Sequence, residues 1–129
     1  MPKAKQLSVW VESRSGMLGE VASALGAKKV NIIGFMAPAA EGRSAIRLVV
    51  DKPAAAKKVF AERSWETTED DIVQVILADK PGALGSAASK LAAAGINIQY
   101  AYTGSAKGGQ KVSTFFAVAD VQAALKALR

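Results

Sequence analysis

Two short segments hold the residues best suited to chemistry, and that chemistry is recognition rather than catalysis. In Gly16-Met17-Leu18 and again in Gly82-Ala83-Leu84, a glycine stands directly before a stretch with helical periodicity. Glycine in that place lets backbone N–H groups point outward, and a helix start adds partial positive charge. Such a corner can receive a small carboxylate. Asp79, just ahead of the second corner, or a backbone carbonyl can accept from an ammonium group. Asn31 and Asn97, which begin the second strands and are expected beside these turns, can both donate and accept. Together these groups suit a zwitterion, although a glycine between strand and helix also serves geometry alone, and Asp79 also suits a cap or a turn.

Other chemistries find few tools. The 129 residues include no cysteine and no histidine, which removes disulfides, thiol nucleophiles, imidazole bases and the usual zinc ligands. Ser, Thr, Lys and carboxylates remain as nucleophiles, none with a partner visible in the sequence, so no enzyme and no cofactor is expected. The acids cluster only at Glu66, Glu69, Asp70 and Asp71, which read as a solvated connection, with too few convergent oxygens for a hard metal. Net charge is +6, yet the lysines are scattered and not interleaved with aromatics, unlike a nucleic-acid reader. No run approaches the roughly 20 apolar residues that span a bilayer, and the first residues lead into no signal-peptide core. A cytoplasmic protein with no membrane or nucleic-acid partner is expected.

The elements that position the two corners come from a duplication. A shift of 66 residues, the distance from Gly16 to Gly82, lays Val9 on Val75, Leu18 on Leu84 and Gly19 on Gly85. It also lays Leu25 on Leu91, Asn31-Ile32 on Asn97-Ile98 and Gly42 on Gly108. Alternation predicts first strands at Gln6–Glu12 and through Val73, Val75 and Leu77. Helices follow, with Leu18, Val21, Ala22 and Leu25 on one face, and Leu84, Ala87, Ala88 and Leu91 on the equivalent face. Gly95 suits the left-handed position after the second of these. Second strands are predicted at Val30–Met36 and Ile96–Tyr102, and third strands at Ser44–Val50 and Val112–Val118. The hairpin at Ala106-Lys107-Gly108-Gly109 lacks the length and ending of a phosphate loop. Pro53 and Asp120 open further helices, Ala54–Arg63 and Val121–Leu128.

The order βαββα(β), stated twice, predicts an α+β fold of two tandem ferredoxin-like βαββαβ sandwiches, with helices on one face of each antiparallel sheet. The expected domains are residues 1–70 and 71–129, the second with its final strand short or missing and thus an edge in need of a partner. Modules of about 60 residues bury only about 60% of their unfolded surface, so they should pack on each other and on a second chain. Trp10, Ile33, Phe35, Ile76 and one of Phe115 and Phe116 predict an apolar, covered second face.

Asp79-Lys80-Pro81-Gly82-Ala83-Leu84, the ending Leu91-Ala92-Ala93-Ala94-Gly95 and Ile96-Asn97-Ile98 resemble the ACT domain family, small regulatory modules that bind amino acids. Gly16-Met17-Leu18 and Val30-Asn31-Ile32 repeat the likeness, which spans about Lys5 to Leu128. The chain is similar to bacterial proteins made of two ACT domains without an enzyme domain. The resemblance implies allosteric sensing of an amino acid or related small carboxylate, in a homodimer, with a possible partner enzyme. Carried over, the site residues are Arg14, Ser15, Gly16, Met17 and Leu18 with Asn31, and Asp79, Lys80, Gly82, Ala83 and Leu84 with Asn97. The family pairs the turn of one domain with the second-strand start of its neighbour. The first copy departs from the pattern: Ser13 and Ser15 replace its Asp and Pro, and Lys29 replaces its glycine. An alternative is an interaction module that regulates an enzyme without binding a ligand, its turns serving structure alone.

Overall fold

A computed structural model describes residues 3–129, which divide into two compact units: Lys5–Asp70, and Asp71–Arg129 together with Lys3 and Ala4. The elements are β1 (Lys3–Glu12), α1 (Met17–Ala27), β2 (Ile32–Met36), β3 (Arg43–Val50) and α2 (Pro53–Glu62). They continue as β4 (Glu66–Ala78), α3 (Ala83–Ala93), β5 (Tyr100–Gly104), β6 (Lys111–Ala117) and α4 (Val121–Ala127). The architecture is α+β, and the pairings within each unit are antiparallel, as in a ferredoxin-like sandwich. The division falls inside β4, whose Glu66–Asp70 segment belongs to the first unit and the rest to the second.

In the first unit β3 is central. Leu7 lies opposite Leu48 and Val9 opposite Ile46, while β2 pairs with the other edge of β3. Alternation sends Leu7, Val9, Val11, Ile46, Leu48 and Val50 into one core, because successive strand residues face opposite sides. Met17, Val21 and Leu25 of α1 and Ala56, Val59 and Phe60 of α2 close that core. Both helices therefore cover the same sheet face. Pro53 stands in the first turn of α2, where its missing N–H leaves no bond unmade.

The second unit repeats the plan with smaller residues. Val73 pairs with Phe116 and Val75 with Thr114, and β5 lies along the other edge of β6. Val73, Phe116, Ala87, Leu91, Val118 and Ala124 are its buried centre, flanked by partly buried residues such as Val75, Leu77 and Ile96. Asp120 caps α4, its Oδ1 accepting from Ala123 N–H at 3.0 Å, which satisfies an amide that the helix cannot.

Several expectations change. Leu18 and Leu84 lie off the core faces of their helices, 39% and 54% exposed; in α1 Met17 and Ala24 take the buried places instead, and Ala22 is only half-buried. The acidic run is no loose connection but lies within β4. Charge does not forbid a strand when the side chains reach water, and Glu66, Glu69, Asp70 and Asp71 are all exposed. β2 begins at Ile32 and β5 at Tyr100, later than the apolar pattern predicts. Phe115 and Phe116 are both buried, on opposite faces of β6. Phe116 joins the helix-side core, while Phe115 stacks on Tyr102 with centroids 5.1 Å apart. Phe35 lies opposite Leu48 on the helix side of its sheet, not on the second face, because the register shifts between Ile32 and Gly34.

Candidate functional site

Both glycine corners are type II turns leading into helices. Met17 N–H donates to the Arg14 carbonyl and Ala83 N–H to the Lys80 carbonyl, each at 3.3 Å. Gly16 (φ 86°, ψ −11°) and Gly82 (φ 89°, ψ −15°) occupy the third position of those turns, where the left-handed backbone favours glycine. A Cβ at either would meet nothing within 4 Å, so the glycine requirement is purely one of backbone conformation. Pro81 fills the second turn position in one copy and Ser15 in the other; proline is preorganised for it. Glu20 N–H to Gly16 O and Ser86 N–H to Gly82 O are the first helical bonds.

The geometry revises the donor set. Met17 and Ala83 amides are engaged inside their turns, so the outward amides of the first helical turn are those of Leu18 and Gly19, and of Leu84 and Gly85. Ser15, Gly16, Asp79, Lys80 and Gly82 are exposed. Asp79 N–H donates to Gln110 O at 2.7 Å, and Ser13 N–H to Gly42 O at 2.8 Å, tying each corner to the hairpin after its second strand.

Asn31 and Asn97 do not lie beside the corner of their own unit. An 11-residue helix separates them from it, about 16 Å at 1.5 Å per residue. Asn31 N–H donates to Asp51 Oδ1 at 2.9 Å, and Asp51 N–H returns a bond to Asn31 O at 3.0 Å. Ala117 stands at the repeat position of Asp51, so the stretch around Asn97 is held differently, through Gln99 N–H to Ala117 O at 2.8 Å.

Around the first corner lies a cleft of about 330 Å³ that Arg14, Met17 and Leu18 line together with Glu12, Ser13 and the loop Ala37-Pro38-Ala39. The Ser13 hydroxyl accepts from Ala40 N–H at 3.1 Å, fixing that loop against the end of β1. Arg14 is held by two carboxylates, Nη2 to Glu20 Oε2 at 3.0 Å and Nε to Glu12 Oε2 at 3.6 Å. The cleft thus offers a cation, an anion and helix-start amides around an apolar wall. Loop residues 37–39 carry no sequence signal beyond a lone proline; only folding brings them to the corner. Among the described residues no group of three or more acids, His or Cys is arranged to hold a metal ion, and no helix is long and apolar enough to cross a membrane.

A family model described as an ACT domain pair matches residues 3–124. Among solved structures, a protein from Bacteroides thetaiotaomicron superposes with a TM-score of 0.86 at 25% identity, covering 98% of this chain and 86% of that one. The ligand-free regulatory subunit of aspartate kinase from Thermus thermophilus gives 0.66 at 17% identity, over 99% of this chain and 91% of that one. Its counterpart from Thermus flavus gives 0.61 at 20%, with the same coverage. No curated protein matches the chain.

Proposed function

The chain belongs to the ACT domain pair family, and from that premise we propose that it is a non-catalytic regulatory protein that binds an amino acid or a related small carboxylate. The observation that carries this reading is the cleft beside Gly16, where Arg14, Glu12 and the start of α1 surround one space. Its volume falls at the small end of the range for ligand sites, about 300–1,000 Å³. A carboxylate would take the Leu18 and Gly19 amides and the Arg14 guanidinium. An ammonium group would take Glu12. Leu18, exposed at the rim, would meet the ligand's side chain.

The second corner, with Asp79, Lys80, Gly82, Ala83 and Leu84, is the equivalent half-site. Since α1 and α3 stand between each corner and the asparagine of its own unit, Asn31 or Asn97 can complete a site only from a different module. A homodimer, which the family likeness implies, would supply such modules. Binding regulates by favouring one arrangement of modules, which requires unequal affinity for the two states. The regulated partner in this reading is an enzyme.

A thermal-shift series with the twenty amino acids tests the proposal. A ligand present at 100 times its Kd should add about 2.7 kcal/mol, and Arg14→Ala should remove most of that gain. If none of the twenty moves the melting temperature, the reading fails and an interaction module without a ligand takes its place.

A further inference from the structure

At the end of α1 away from the Gly16 corner, lysines gather where α1 stops and α2 begins. Lys28 and Lys29 follow α1, Lys52 precedes α2, and Lys57 and Lys58 lie in its first two turns. They form one surface: Lys52 Nζ donates to the Lys29 carbonyl at 3.1 Å, and Lys28 and Lys58 line a shared cavity of about 220 Å³ with Ala55 and Val59 as its apolar wall. Lys57 pairs with Glu69 at 3.3 Å. Lys28, Lys29, Lys52 and Lys58, all exposed, pair with no carboxylate among the described residues. Against these four cations stand Asp51, whose Oδ1 already accepts from Asn31 N–H, and Glu62 on the cavity rim. Positive charge is in excess there.

The fold does not ask for all of this charge. Lys28 and Lys29 suit the negative end of the α1 dipole, but Lys29 holds φ 58° where the second copy has Gly95. Lys52 stands at the positive end of α2, makes no side-chain cap and is followed by no acid in the first turn, whereas Asp120 caps α4. At two places, then, lysine occupies a position whose backbone favours glycine or aspartate. Residues kept against local stability point to function. We propose that this surface docks an acidic segment of a partner protein, with one aliphatic side chain entering the cavity while flanking carboxylates meet the lysines. Charges of this kind steer and select a partner. Among its described residues the patch presents no aromatic ring on which a base could stack and no large apolar side chain to enter a bilayer. The inference goes beyond the amino-acid reading and needs no ligand at the Gly16 corner.

The test uses the full chain and a fluorescein-labelled peptide with a central leucine flanked on each side by glutamates, followed by fluorescence anisotropy. Saturable binding is expected, lost when glutamines replace the glutamates. The double variant Lys29→Gly/Lys52→Asp copies the residues of the second copy, so it should melt no lower than the parent chain while its affinity for the peptide falls by at least about fivefold. Loss of binding at undiminished stability separates a docking role from a structural one. The proposal is overturned if the glutamate peptide does not bind saturably, if the variant binds it as well as the parent, or if the variant melts lower, since the lysines would then serve the fold. Tighter binding to an oligothymidylate or to phosphatidylserine vesicles than to the peptide overturns it too.

Discussion

The two copies of the repeat share a backbone plan and differ in how they hold it. At the corner before the first helix both use glycine with nearly the same dihedrals. At the far end of that helix they diverge. Gly95 takes φ 74° after α3, whereas Lys29 takes φ 58° in the same place after α1. A lysine in the left-handed region is strained by about 1–2 kcal/mol. The first unit tolerates it because larger residues fill its core, with Phe60, Leu7, Leu25 and Leu48 all fully buried, and because Asp51 and Lys52 bind the adjoining backbone at Asn31 and Lys29. The second unit has a smaller buried cluster, Val73, Ala87, Leu91, Phe116, Val118 and Ala124, and keeps the permissive residue. Duplication preserved the turns that backbone geometry requires and let side-chain strength drift.

The sharpest test of this contrast is the pair Leu25→Ala and Leu91→Ala, equivalent residues that are both fully buried. Leu25 sits among rigid buried neighbours, so its cavity should persist and cost about 4 kcal/mol; the half-buried neighbours of Leu91 can relax, and about 2–3 kcal/mol is expected. Urea unfolding of both variants measures the difference, and equal losses would break the comparison.

Next come the corners. Gly16→Ala and Gly82→Ala should each lose about 1–2 kcal/mol, and by the same amount, because φ and free space match at the two sites. Lys29→Gly should gain about 0.5–1 kcal/mol, the relief of strain exceeding the extra chain entropy, while Gly95→Ala should lose about 1 kcal/mol. The smallest effect expected is from Ser15→Pro, which copies Pro81 into the first turn and should raise stability by about 0.5 kcal/mol in calorimetry.

Much of the plan was legible in the sequence because glycine and proline mark backbone geometry that side chains cannot override. Gly16, Gly82 and Gly95 announce left-handed positions, and Pro53 and Asp120 announce helix starts. What escaped detection depends on neighbours distant in the chain. Leu18 and Leu84 read as core residues from helical spacing, yet a helix resting on a sheet buries a stripe set by its roll, and Met17 rather than Leu18 falls on it. The acidic stretch in β4 reads as loop because clustered charge signals solvent, and a strand whose side chains are exposed, as these are, satisfies the same signal. The cleft beside Arg14 joins β1, the start of α1 and a hairpin loop, and no local pattern links Arg14 to Pro38. Asn31 was read as a neighbour of Gly16 because both flank one helix, although that helix holds them apart.

The distribution of aromatic side chains has a practical outcome. Both indoles belong to the Lys5–Asp70 unit, and the two phenols, Tyr100 and Tyr102, both belong to the other. Each half of the molecule carries its own chromophore. Near-ultraviolet spectra at two wavelengths can therefore assign a melting step to one half or the other without any attached dye.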